Sequence, residues 1–182
     1  MSELVTHIRR AVQYIKQNAI DFKVDSDRIG LWGGSAGGHL SLLIGLSPEI
    51  QIPDNEKSGN KNDASVAAIV VFAAPSDLLK IVTDNPEELE KRPVLRMEKK
   101  QYQEFSPVNY ATMYDPPTLI MHGNADKDVP FAQGELMYSA LEQAGVESHF
   151  IEFDKTNHSP TLEQASKGVD EALAWFNKHL GN

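Results

Sequence analysis

Gly33-Gly34-Ser35-Ala36-Gly37-Gly38-His39 (GGSAGGH, residues 33–39) follows directly on the apolar run Ile29-Gly30-Leu31-Trp32. Glycine costs backbone entropy and packs nothing, so four of them around one hydroxyl imply tight backbone geometry at Ser35. Two chemistries use such geometry: presentation of a nucleophile, or a cradle for an anion. Residues 28–33 read as a short apolar strand, and residues 36–46 as a buried helix, apolar on nearly all sides. Residues 33–37 therefore place G-x-S-x-G between a strand and a helix, where a strained turn lifts a serine hydroxyl clear of the sheet. Small residues two before and two after the serine keep neighbouring side chains from clashing. Ala36 and Gly34 are the flanking backbone positions, and the Ala36 amide, at the helix N-terminus, can point at a developing oxyanion. The anion cradle fits poorly. Walker A needs a lysine followed by serine or threonine where this chain has His39-Leu40, and the glycines at 33, 34, 37 and 38 do not make G-x-G-x-x-G.

Outward from this stretch the pattern alternates. Leu4, Val5, Ile8, Ala11, Val12, Ile15 and Ala19 recur at helical spacing and predict a first amphipathic helix ending near residues 18–21. The helix after Ser35 stops near Pro48, and the polar, turn-rich residues 51–65 read as a surface loop. The valine-rich run 66–74 has the character of a strand buried on both faces, which implies a parallel sheet. Asn85-Pro86-Glu87-Glu88 looks like a helix start, and its continuation to Gln101 is heavily charged. Residues 77–105 are therefore expected to form a solvated helical insertion over one edge of the sheet, above the site. Residues 118–122 form a further strand, 131–144 a helix ended by Gly145, and 148–153 a last strand. Leu162, Ala165, Val169, Ala172, Leu173, Phe176 and Leu180 give a closing amphipathic helix. The expectation is one α/β domain over residues 1–182: three layers, α/β/α, around a mainly parallel sheet of about four strands.

Composition narrows the function. With 41% apolar and 24% charged residues in 182, the chain is an ordinary globular one. A net charge of −9 with scattered basic residues argues against nucleic acid as a partner. The absence of cysteine excludes disulfides and thiolate metal sites and fits a reducing compartment, so a cytoplasmic protein is expected. Residues 1–20 carry charges throughout and do not resemble a signal peptide, and no stretch approaches a membrane span.

A serine nucleophile needs a base, and the base needs an acid to hold its tautomer. His122-Gly123-Asn124-Ala125-Asp126 comes straight off the third strand, which puts Asp126 on a loop at the edge where Ser35 emerges. Asn157-His158-Ser159 follows the fourth strand, so His158 can reach the same edge. Asp128 and Asp154 compete for the acid's role, and Asp126 could be a turn former alone. His39 is expected to pack or hydrogen-bond within its helix, and His122 to orient the acid loop. His7, His149 and His179 are assigned no chemistry. No pair of histidines or carboxylates falls at ligand spacing on one helix, so neither metal nor cofactor is expected.

The runs DRIGLWGGSAGGHLSLL, DPPTLIMHGNADKDVPF and NHSPT together resemble the C-terminal part of α/β-hydrolase esterases and lipases. The similarity is to the carboxylesterase branch with its acetyl-esterase-like and hormone-sensitive-lipase-like members. It implies Ser35 as nucleophile, Asp126 as acid, His158 as base and Ala36 as one oxyanion donor, acting on small acyl or acetyl esters through an acyl-enzyme. Such enzymes carry earlier strands and an H-G-G-type loop, whereas the His-Gly pair here, His122-Gly123, belongs to the acid loop. The expected fold is thus a truncated α/β-hydrolase in which the strand bearing Leu31 and Trp32 becomes an edge. An apolar edge strand is a pairing liability, and a homodimer through that edge is one way to cover it. The alternative is a catalytically weak or silent half-domain acting as an assembly module.

Overall fold

A computed structural model of the chain describes residues 1–47 and 64–181. The stop near Pro48 and most of the loop expected at 51–65 fall outside the described residues. The chain opens with α1 (Ser2–Gln17) and a single turn, α2 (Ala19–Phe22), followed by β1 (Gly30–Gly34), α3 (Ala36–Leu46) and β2 (Ala68–Phe72). A helical segment comes next: α4 (Leu78–Asp84), α5 (Glu88–Lys91), a 3-10 turn at Pro93–Leu95, α6 (Lys99–Glu104) and a second 3-10 turn at Pro107–Tyr110. β3 (Thr118–Gly123), α7 (Ala132–Ala144), β4 (Ser148–Phe153) and α8 (Leu162–Leu180) complete it.

The four strands form one parallel sheet in the order β1-β2-β3-β4. In register, Gly34 faces Phe72 and Phe72 faces Met121, so the C-terminal ends of β1, β2 and β3 share one rim. Side-chain alternation then builds the layers. Ile69, Val71 and Ile120 point to one face and pack on Leu42 and Leu46 of α3 and Met137 and Leu141 of α7. Ala68, Val70, Leu119 and Met121 point to the other and pack on Ala172 and Trp175 of α8. Both faces of β2 and β3 are covered, which is why those strands read as continuous apolar runs. The three-layer α/β/α arrangement is the one expected.

Two regions differ from expectation. Within the segment 77–105 helix begins before the start expected at residues 85–88: the Asp77 side chain accepts from the Lys80 amide at 2.9 Å and caps α4. One face of the segment is buried, while the charged face is exposed. Leu78, Ile81, Val82, Leu95, Tyr102 and Phe105 are buried with Val5, Leu43 and Ile44 against α1 and α3. The i, i+3, i+4 spacing of Leu78, Ile81 and Val82 makes a helix face that the surrounding charges mask. In α8 the buried residues are Gly168, Ala172 and Trp175, while Leu162 is 92% exposed and Val169 and Leu173 are 40% and 52% exposed. Only one flank of the apolar stripe meets β2 and β3. The other flank lies on the side of β1, the last strand in its direction among the described residues, where Trp32 is 48% exposed beside Phe176.

Candidate active site

Ser35 sits between β1 and α3 with φ 51° and ψ −123°, a left-handed backbone that side chains other than glycine adopt only when the surroundings hold it. Two hydrogen bonds do so: the Ser35 amide donates to Phe72 O at 2.8 Å, and the His39 amide donates to Ser35 O at 2.9 Å, starting α3. The glycines around it are not equivalent. A Cβ on Gly33 would lie 2.4 Å from the Gly37 backbone, and one on Gly38 would lie 2.9 Å from Ala74 and from Gly33 O. A Cβ on Gly37 would meet nothing within 4 Å, and one on Gly34 only Phe72 O at 3.8 Å. Gly33 and Gly38 are thus required by space, because the helix turns back onto the strand it has just left. Strand amides alternate in direction, so with Ser35 donating to β2 the Gly34 amide points away from β2. The Ala36 amide stands in the first turn of α3, where helical amides have no intrahelical partner.

Asp126 lies at the end of β3 in a turn closed by its own amide donating to Gly123 O at 3.2 Å. Its Oδ1 accepts from the amides of Asp128 and Val129, each at 2.9 Å. The loop after β4 is stitched to this turn. The Ala125 amide donates to Thr156 O at 3.1 Å and the Asn124 amide to Phe153 O at 3.1 Å. The Asn124 side chain accepts from the Lys155 amide at 2.7 Å and donates to Glu152 at 2.6 Å and Asp154 at 3.1 Å. Gly123 permits the approach, since a Cβ there would lie 2.2 Å from Thr156 O.

The two loops bring His158 between Ser35 and Asp126. Ser35 Oγ lies 2.8 Å from His158 Nε2, and His158 Nδ1 lies 2.8 Å from Asp126 Oδ2. With the carboxylate accepting, the imidazole proton is on Nδ1, and Nε2 is left to accept from the serine hydroxyl. The Asp126 side chain is fully buried, while that of His158 is 22% exposed. Burial pushes the Asp126 carboxyl up, but hydrogen bonds from His122, the Val129 amide, His158 and the Asp128 amide outweigh it and hold the group at about 2.

Residues 2–141 match the BD-FAE family. The chain belongs to that family. It is also 30% identical over 180 residues to the acylamino-acid-releasing enzyme of Rattus norvegicus, covering 98% of this chain and 24% of that protein. Esterase LipQ of Mycobacterium tuberculosis is 29% identical over 187 residues, covering 94% of this chain and 42% of LipQ. The chain therefore spans less than half the length of these relatives. A solved structure, Thermogutta terrifontis esterase 2 phosphonylated by cyclosarin, superposes with a TM-score of 0.77 at 25% identity, covering 99% of this chain and 65% of that one. The similarity to α/β-hydrolase esterases holds, with the α/β fold it implied.

In this BD-FAE chain the other candidates take lesser places. Asp128 is exposed, with Arg92 Nη2 at 3.9 Å, and Asp154 binds Asn124. Arg92 also pairs with the buried Glu88, so the segment 77–105 reaches the acid loop through this side chain. His39 is buried and donates from Nδ1 to Pro75 O at 3.1 Å, and burial pushes its pKa down. His179 packs on Trp175, with ring centroids 4.4 Å apart. Among the described residues, Asp126, Asp128 and His158 bring ligand-type atoms within 4.8 Å of one another. A cation there would have to displace the 2.8 Å bond between Asp126 and His158. No helix among the described residues is long and apolar enough to cross a membrane. Sequence reasoning missed Asn124, Thr156 and the amides of Asp128 and Val129. The Gly-Asn pair after β3 was the one available signal, as a turn former beside a close backbone approach.

Proposed function

We propose that the chain hydrolyses carboxylic esters of small acyl groups through Ser35, His158 and Asp126. The observation that carries this is the unbroken hydrogen-bonded series from Ser35 Oγ to His158 to Asp126, 2.8 Å at each step, on a serine held at φ 51°. His158 Nε2 takes the hydroxyl proton as Ser35 Oγ attacks the ester carbonyl. The resulting oxyanion faces the Ala36 amide and the positive end of α3, while Gly34 serves only the backbone path of the turn. The buried Asp126 carboxylate stabilises the imidazolium without taking its proton. His158 then returns the proton to the leaving alcohol, leaving an acyl-Ser35 ester. In the second half, water gives its proton to His158, attacks the acyl carbon, and releases the carboxylic acid as Ser35 regains its proton.

The name of esterase LipQ supports ester hydrolysis, and the phosphonylated state of the structural neighbour suggests the probe. Labelling with a fluorophosphonate, read by intact mass and peptide mapping, is expected at Ser35 and to be lost in Ser35→Ala and His158→Ala. A well-folded protein that does not label would overturn the reading. We also propose that residues 1–182 act as one unit, with the segment 77–105 forming a wall of the site, supported by its packing on α1 and α3 and by the approach of Arg92 to Asp128. The half-exposed Trp32 on β1, with Val169 and Leu173, supports pairing with a second copy along that edge, since twofold pairing would cover the same apolar surface on both chains. A monodisperse monomer in sedimentation would remove that part of the proposal.

A further inference from the structure

His122, the last side chain of β3 before Gly123, is completely buried, and its surroundings constrain it on three sides. Its Nε2 lies 3.0 Å from Val129 O, a carbonyl that can only accept, so the ring proton is on Nε2. The same Nε2 lies 3.5 Å from Asp126 Oδ2, the oxygen that also receives His158 Nδ1. Phe131 stands edge-on to the ring, with centroids 5.6 Å apart. On the remaining side Gly134 of α7 leaves room for it, since a Cβ there would come within 2.7 Å of His122 Nδ1. That Nδ1 is buried without a hydrogen-bond partner. A buried polar atom left unpaired is costly, and a phenylalanine of similar shape would avoid the cost. Packing alone therefore does not account for a histidine at this position.

We propose that His122 is a positioning residue that fixes the Asp126 carboxylate for His158 by sharing its Nε2–H between Val129 O and Asp126 Oδ2. The inference rests on the triad reading above. Asp126 Oδ1 is held by two amides, but rotation about that oxygen would still swing Oδ2 away from His158. A second donor on Oδ2, anchored to the same turn through Val129, removes that freedom. The groups facing the carboxylate are His122 from β3, His158 from the loop after β4, and the amides of Asp128 and Val129, with Arg92 of the helical segment one step out at Asp128.

The test compares His122→Phe, which keeps a ring and loses the donor, with His122→Gln, whose amide nitrogen can occupy the place of Nε2. On a p-nitrophenyl ester, His122→Phe is expected to lower kcat about 10- to 100-fold with KM within about twofold, the effect of losing one hydrogen bond to a charged group. His122→Gln is expected to recover most of that loss. Independently of activity, carbon-detected NMR of the Asp126 carboxyl should give a midpoint of about 2 in the native protein. The midpoint should rise in His122→Phe and return in His122→Gln. An unchanged midpoint in the folded Phe variant, or equal loss of activity in both variants, overturns the proposal. Absence of fluorophosphonate labelling in the unsubstituted protein would instead remove the triad reading and leave the carboxyl titration to decide the role of His122.

Discussion

The nucleophile turn and the acid–base loops stand side by side on one rim of the sheet but are built in opposite ways. Ser35 is held mainly by its near neighbours, the strand before it, the helix after it and glycines at 33 and 38 that let the two fold back on each other, with one hydrogen bond to Phe72 O of the adjacent strand. Asp126 is fixed in its own turn by the Asp128 and Val129 amides, but its loop is tied to that of His158 by groups distant in sequence, with Asn124 binding Lys155 and Glu152, and Ala125 binding Thr156. The first region stores its geometry mainly in backbone strain and sterics, the second in hydrogen bonds between the loops after β3 and β4. The difference means that damage to the turn should appear as misfolding near Ser35, whereas damage to the loops should separate a still-folded serine from its base.

The largest expected effect tests whether the two regions act as one device. Ser35→Ala and His158→Ala should each lower ester hydrolysis by about 10⁴- to 10⁶-fold, and the double variant by no more than either alone, because residues acting as a unit are not additive. Steady-state rates on one ester decide this, and additive losses would break the link. Steric substitutions come next. Gly33→Ala and Gly123→Ala each drive a Cβ into backbone, at 2.4 Å and 2.2 Å respectively, and should destabilise by about 3 kcal/mol in denaturant titration. Asn124→Ala should cost about 1–2 kcal/mol and lower kcat more than it lowers the rate of Ser35 labelling by a small, reactive phosphonate.

A pH series sharpens the same contrast. The folded Asp126 carboxyl, at about 2, lies below its ordinary value of 3.8. It therefore contributes stability that is fully present above about pH 4 and is lost as pH falls from 3.8 toward 2. In Asp126→Asn that portion of the acid destabilisation should vanish from thermal melts taken across this window. The smallest effect has the opposite sign. Gly37 has open space at its Cβ and lies in the first turn of α3, so Gly37→Ala should stabilise by about 0.5–1 kcal/mol.

How far the chain could be read in advance follows from the same division. The G-x-S-x-G turn was legible because its requirements are local: an apolar strand, small residues and a helix start within a few positions. β2, β3, β4, α3, α7 and α8 were legible from period and composition, because both faces of the central strands are covered. Asp126 and His158 could be named because each follows a strand whose C-terminal end must lie on the same rim of a parallel sheet. The core formed by Leu78, Ile81 and Phe105 was hidden by the charges around it, and the exposure of Leu162, Val169 and Leu173 by a periodicity that is correct for a helix but silent about its partner.

The sequence by itself determined the α/β order of elements and the small-residue turn around Ser35, since these depend on local sterics and hydrophobic period, and it offered Asp126 and His158 as candidates with Asp128 and Asp154 competing for the acid's place. Only the tertiary structure decided that Asn124 ties the two loops together, that His122 Nε2 lies within 3.5 Å of Asp126 Oδ2, and that Gly123 rather than a larger residue must face Thr156. The first and last of these contacts join residues about 30 positions apart, and the energies of all three depend on distances of a few tenths of an ångström that no pattern along the chain encodes.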